Sequence, residues 1–139
     1  MEDHRLFHGI HQLSRLLHKH LNITLQPYGL YSAQWSVLYV LRTKGTSTQS
    51  ELCEYLAVEA PPMTRLIQRL VKQGYVSQVT SERDKRVKYI QLSEKAIKEF
   101  PIWEKAVLDM NESLVRNFPE DSQEKLAALI KNWLTQLEK

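Results

Sequence analysis

The sequence predicts a mostly helical chain with one small β-wing, in the order four helices, a two-stranded hairpin, then two more helices. Three observations carry that expectation. Apolar residues recur at helical spacing along most of the 139 residues. A helix with cleanly separated apolar and cationic faces ends at Gly74 and is followed directly by two β-prone runs. The tip joining those runs, Ser81-Glu82-Arg83-Asp84-Lys85-Arg86, concentrates three cations in six residues. An outward-facing helix followed by a basic ribbon is the order of parts of a winged helix-turn-helix, in which the helix enters a major groove and wing cations approach the minor groove beside it.

Taken in order, residues 4 to 25 place Leu6, Ile10, Leu13, Leu17 and Leu21 at spacings of three and four, an amphipathic helix that stops near Pro27 and Gly29. Ser32 is the expected cap of a second helix, which carries Trp35, Leu38, Tyr39 and Leu41 and ends at Lys44-Gly45. Thr48 with Glu51 three residues on forms a capping box for a short helix, with Leu52, Tyr55 and Leu56 expected inward. After the link Ala57-Val58-Glu59, the reading helix opens at Pro61-Pro62, whose missing N–H groups cost nothing in a first turn. Its arc of Met63, Leu66, Ile67, Leu70 and Val71 reads as core; the opposite arc of Thr64, Arg65, Gln68, Arg69 and Lys72 reads as outward. Tyr75 to Val79 and Val87 to Leu92 form the hairpin, which needs the helices to support it. Ser93 caps the next helix, expected to run toward Asn117 and to bend or restart at Pro101. The last helix, about 120 to 137, carries Leu126, Leu129, Ile130, Trp133, Leu134 and Leu137.

The chain thus reads as a single domain, 1–139. Residues 30–92 form its winged helix-turn-helix, and 1–29 with 93–139 supply N- and C-terminal dimerisation helices. The terminal stripes are longer than one small winged domain needs to cover, which points to a second copy.

Net charge is +3, but its distribution says more. Residues 59–95 hold eight Lys/Arg against four acids, and 96–139 hold six against eight, so a net +4 sits on the reading module and −2 on the C-terminal part. Phosphate attraction needs that field where it lies. No apolar run approaches the ~20 residues that span a bilayer, and Met1-Glu2-Asp3-His4 lacks the features of a signal peptide, so a cytoplasmic protein without membrane partners is expected. The single cysteine, Cys53, excludes an intrachain disulfide framework and reads as a packing residue.

With the wing in place, the chain resembles the multiple-antibiotic-resistance repressor (MarR) family. The resemblance covers nearly all of it. The wing pattern Asp-x-Arg followed by Leu-(Thr/Ser) stands here as Asp84-Lys85-Arg86 with Leu92-Ser93. The reading-helix pattern is similar in Met63-Thr64-Arg65-Leu66-Ile67, Leu70 and Gly74, and the second helix in Ser32-Ala33-Gln34-Trp35 and Leu38. The resemblance implies a homodimer on pseudopalindromic double-stranded DNA, Arg86 in the minor groove, and Thr64, Arg65, Gln68 and Arg69 in or beside the major groove. Thr48, Pro62, Arg83 and Lys85 complete the expected DNA-contacting set, with Asp84 holding Arg86 or Arg69 in place. It also implies a repressor relieved by a small ligand in the cleft between dimerisation helices and reading module.

For that ligand an anionic aromatic molecule is expected, with His8, His11, Arg15, Trp35 and Tyr39 as candidate contacts. The bland reading of Trp35 and Tyr39 is core, which is the commoner fate of helix-stripe aromatics. All five histidines lie within the first twenty residues, and His4, His8, His11 and His18 share one edge of the first helix. A metal site or a protonation-sensitive surface competes there with a plain polar edge; the plain edge is favoured, because no carboxylate or cysteine completes a ligand set. Neither metal nor cofactor is expected. A winged helix serving protein interaction or assembly is the alternative function, and no acid pair, metal set or activated nucleophile suggests an enzyme.

Overall fold

The computed structural model describes residues 3–138. The elements are α1 (Asp3–Leu25), α2 (Ser32–Lys44), β1 (Ser47–Thr48), α3 (Gln49–Leu56), α4 (Ala60–Lys72), β2 (Val76–Thr80), β3 (Lys88–Leu92), α5 (Glu94–Leu114) and α6 (Glu120–Leu137), with a single 3-10 turn at Gln26–Tyr28. The chain divides into two compact units, Met1–Val107 and Leu108–Lys139.

The first unit builds its core from the apolar faces that the sequence periodicity marks. Leu52 of α3, Met63, Ile67 and Leu70 of α4, and Ile90 of β3 are fully buried. The expected hairpin is present, with Val76 opposite Leu92 and Thr80 opposite Lys88. A third strand joins it: β1 pairs antiparallel with β3, giving the order β1-β3-β2. Two residues are too short to show an alternating pattern, so β1 exists only because β3 offers it an edge.

Several local expectations are corrected. Tyr31, not Ser32, caps α2; the Ser32 N–H is already engaged by Asn22 Oδ1 at 2.6 Å, and the Tyr31 N–H donates to Gln34 Oε1 at 3.1 Å. Tyr55, expected inward, is 55% exposed, and the Lys44 ammonium lies 3.9 Å from its ring centroid. Val71, placed on the core arc, is 41% exposed, because it sits at the edge of that arc. α5 neither restarts at Pro101 nor reaches Asn117; it runs unbroken through the proline to Leu114. Ala96, Phe100, Trp103 and Val107 are buried on both sides of the proline, and that packing outweighs one lost backbone hydrogen bond.

The capping box is as expected, with Glu51 N–H donating to Thr48 Oγ1 at 3.1 Å and Thr48 N–H to Glu51 Oε1 at 2.9 Å. The bond from the Thr48 N–H, with the Thr48 side chain adding to it, favours the ionised carboxylate and lowers the Glu51 pKa. Ser93 Oγ likewise accepts from Ala96 N–H at 3.1 Å and caps α5. In the second unit, Gln123 Nε2 donates to Phe118 O at 2.7 Å across the turn into α6, a helix that buries none of its residues. Among the described residues, no helix is long and apolar enough to cross a membrane.

Candidate nucleic-acid interface

α4 stands on its buried arc and turns Thr64, Arg65, Gln68, Arg69 and Lys72 outward, all exposed. The two faces separate because the apolar residues fall three and four apart and the cations fill the gaps. Ala57 takes a left-handed conformation (φ 55°) as the cap of α3, and this sharp reversal sets α3 and α4 in helix-turn-helix relation. An alanine there carries strain that a glycine would not.

The outward face has two flanks. On one, Thr64 and Gln68 border an open groove of about 950 Å³ with Thr48, Gln49, Gln78, Arg86 and Lys88. On the other, Arg65 and Arg69 border a cleft of about 530 Å³ with His18, Tyr31, Leu56, Pro62 and Leu66. The first flank joins the reading helix to the wing; the second joins it to α1 and the start of α2. Arg69 also lies over the Tyr31 ring, its guanidinium carbon 5.2 Å from the centroid.

The wing tip is a compact turn. Ser81 N–H donates to Val87 O at 2.9 Å, and Val87 N–H to Asp84 O at 2.9 Å. Asp84 grips Arg86 three times, accepting from its backbone N–H at 3.0 Å, Nε at 3.1 Å and Nη2 at 3.2 Å. The Arg86 side chain is nonetheless 91% exposed, so it is oriented and still available. Arg83 and Lys85 are exposed beside it. Hydrogen bonding from Arg86 holds the Asp84 carboxyl below its ordinary value of 3.8, so the grip is intact above that value and is lost as pH falls through the lowered one. Asp84→Asn is expected to leave the melting temperature unchanged but to free the guanidinium, dropping the order parameter of Arg86 Nε–H below about 0.6 in relaxation measurements. An ordered Nε–H in that variant would show that the carboxylate does not position the arginine.

Of the sequence-predicted positions, Thr48, Thr64, Gln68 and Arg86 come together in the groove, while Pro62, Arg65 and Arg69 line the cleft. The ligand candidates lie in different settings. His8, His11 and Arg15 are exposed on α1, Trp35 is buried with its ring stacked 5.2 Å from Phe100, and Tyr39 is half exposed at 6.0 Å from Trp35. None of the five lines the cleft, which takes His18 and Tyr31 instead. Sequence reasoning also missed Gln49, whose Nε2 donates to Thr64 Oγ1 at 2.8 Å while that hydroxyl donates to Ala60 O at 2.9 Å. Its place at the start of α3, opposite the start of α4, was a usable signal. Gln78 and Lys88 are outward strand positions that only the sheet register brings to the groove. Among the described residues no group of three or more His, Cys, Asp or Glu is placed to hold a metal ion.

Comparison with known proteins agrees with this geometry. The MarR family profile matches residues 28–87, the span from the turn after α1 to the wing. An uncharacterized HTH-type transcriptional regulator of Bacillus subtilis, YwoH, is 42% identical over 134 residues, covering 96% of this chain and 97% of its own. The multiple antibiotic resistance protein MarR of Escherichia coli is 34% identical over 95 residues, 63% of this chain and 66% of that one. A solved structure of a mutant E. coli MarR complexed with operator DNA superposes with a TM-score of 0.85 at 28% identity, covering 94% of each chain. A winged helix with an outward cationic reading face, a gripped wing arginine and these relatives make the chain a transcriptional regulator that belongs to the MarR family.

Proposed function

We propose that the chain binds a pseudopalindromic DNA duplex as a homodimer and represses transcription until a small anionic aromatic effector releases it. The carrying observation is the pairing, on one exposed surface, of the α4 face with an Arg86 held by Asp84. Arg65 and Arg69 suit guanine edges or phosphates, Gln68 suits adenine, and Arg86 suits a narrow minor groove. Thr48, Arg83, Lys85 and Lys88 supply further contacts to the backbone, where affinity and salt dependence arise. A second copy is supported by apolar residues left exposed on both terminal helices, among them Leu6, Ile10, Leu13 and Leu17 on α1 and Leu129, Ile130 and Leu134 on α6. Two reading helices one DNA turn apart, ~34 Å, then read two half-sites together. A chain that works on DNA in this way belongs in the cytoplasm.

The effector reading rests on the 530 Å³ cleft, where Tyr31, Leu56 and Leu66 offer apolar surface, Arg65 and Arg69 offer positive charge, and His18 adds a polar ring. A carboxylate-bearing ring there draws on the same two arginines that would face DNA. It therefore binds the DNA-free arrangement better, and a differential of ~1 to 3 kcal/mol gives a switch of roughly 5- to 150-fold.

Titration of the wild-type dimer on a duplex selected from a random library, and on a scrambled duplex of equal length, tests the reading at several salt concentrations. Arg65→Ala is expected to cost ~1 to 3 kcal/mol on the selected duplex and little on the scrambled one. Arg86→Ala should weaken both and flatten the salt slope by about one phosphate contact. Wild-type affinity indifferent to salt would favour a protein-interaction module instead.

A further inference from the structure

The C-terminal end of the reading helix is tied to the link between α1 and α2. Gln73, the residue that caps α4, donates from Nε2 to Gly29 O at 2.9 Å, and its Oε1 accepts from Gln34 Nε2. Gln34 lies at 0% exposure, and its own Oε1 accepts from Tyr31 N–H at 3.1 Å. Gly29 is left-handed (φ 73°), which brings its carbonyl round to meet the amide. Asn22 of α1 binds the next backbone N–H, that of Ser32, and Lys95 Nζ donates to Gln73 O at 3.0 Å from the α5 side. Every polar atom of the two glutamine side chains that faces this junction has a complementary partner, in the α1–α2 link or in the other glutamine. At the opposite end of α4, Gln49 holds Thr64.

We propose that Gln34 and Gln73 are positioning residues for duplex reading, clamping the C-terminal end of α4 to the α1–α2 junction and thereby setting sequence discrimination rather than general affinity. The inference rests on the proposed DNA function. α4 has 13 residues and is about 20 Å long. A tilt of about 10° about Thr64, where Gln49 holds the helix, moves the Lys72 end, about 12 Å away, by about 2 Å, well beyond the ~0.5 Å within which a recognition constellation must be held. Gln68 and Arg69, four and five residues beyond Thr64, ride on that tilt. Base-edge hydrogen bonds are lost under it, while phosphate attraction, which tolerates small displacements, persists. The apolar arc of Met63, Ile67 and Leu70 packs α4 onto the core, but packing of that kind is non-directional and leaves tilt free to be set by directed bonds.

Gln73→Met and Gln34→Met keep an unbranched side chain of similar length and remove the amide. Each is measured by titration of the intact dimer on the library-selected duplex and on its scrambled counterpart. Gln73→Met is expected to bind the selected duplex about tenfold more weakly, as the loss of one or two net hydrogen bonds implies, with less than about twofold change on the scrambled one. The double variant should lose no more discrimination than Gln73→Met alone, since that change already removes both the Gln34 and the Gly29 bonds of the clamp. A merely structural role would lower the melting temperature and both affinities together, which overturns the proposal, as does discrimination that survives in a folded Gln73→Met. Gln73 is half-buried at the helix end, so it carries the test even where Gln34→Met melts too low to assay. Wild-type protein unable to distinguish the two duplexes would overturn the duplex reading itself and the clamp with it; wild-type discrimination retained in the variant overturns the clamp alone.

Discussion

Leu129→Glu/Leu134→Glu is expected to sediment as a monomer and to bind the library-selected duplex at least about 100-fold more weakly than wild type, the scale of avidity that joining two sites confers. On a single chain these leucines are 65% and 56% exposed, so charging them removes nothing from the core, and far-UV circular dichroism should be unchanged. In an apolar contact with a second copy, each carboxylate would have to be stripped of water without a partner, at several kcal/mol apiece. Affinity for a single half-site persists because α4 and the wing lie wholly within the first unit. A variant that remains dimeric and keeps wild-type affinity would place this face of α6 outside the interface.

Trp103→Ala is expected to lower the unfolding free energy by about 3 to 5 kcal/mol, the range for deleting a large buried aromatic. Trp103 is 2% exposed; its ring meets Tyr75 edge-on at 4.9 Å and Phe100 at 6.3 Å. Tyr75 opens the wing hairpin, so the ring ties α5 to the strand that follows the reading helix. With total stability of about 5 to 15 kcal/mol for a domain of this kind, the loss consumes much of the margin and should drop the melting temperature by about 10 °C or more. Denaturant titration checks the value. A change under about 1 kcal/mol would mean that Phe100 and Tyr75 close over the gap.

The sequence by itself determined what depends on neighbours three or four residues away. The period of Met63, Ile67 and Leu70 against Thr64, Arg65, Gln68 and Arg69 dictates which face of α4 is buried, because burial follows apolar spacing. Thr48 with Glu51 and Ser93 cap their helices for reasons complete within four residues. For Asp84 the sequence left Arg86 and Arg69 both open as partners, and it holds Arg86, two residues away in the same turn.

Tertiary structure decided whatever joins distant segments. β1 has no pattern of its own and forms on β3, and the continuity of α5 through Pro101 depends on a core that Phe100 and Trp103 enter. That core also takes Leu25 from α1, so helices that read as dimerisation elements complete the reading module from outside residues 30–92. The 530 Å³ cleft gathers His18, Tyr31 and Arg69 from separate stretches of the chain, and Gln34 meets Gln73 across 39 positions. A lone polar side chain carries no periodic signal, and its partner is chosen by how the helices cross. Hydrogen bonds act over about 3 Å in space and are blind to separation along the chain, so these pairings appear only once hydrophobic burial has fixed the packing.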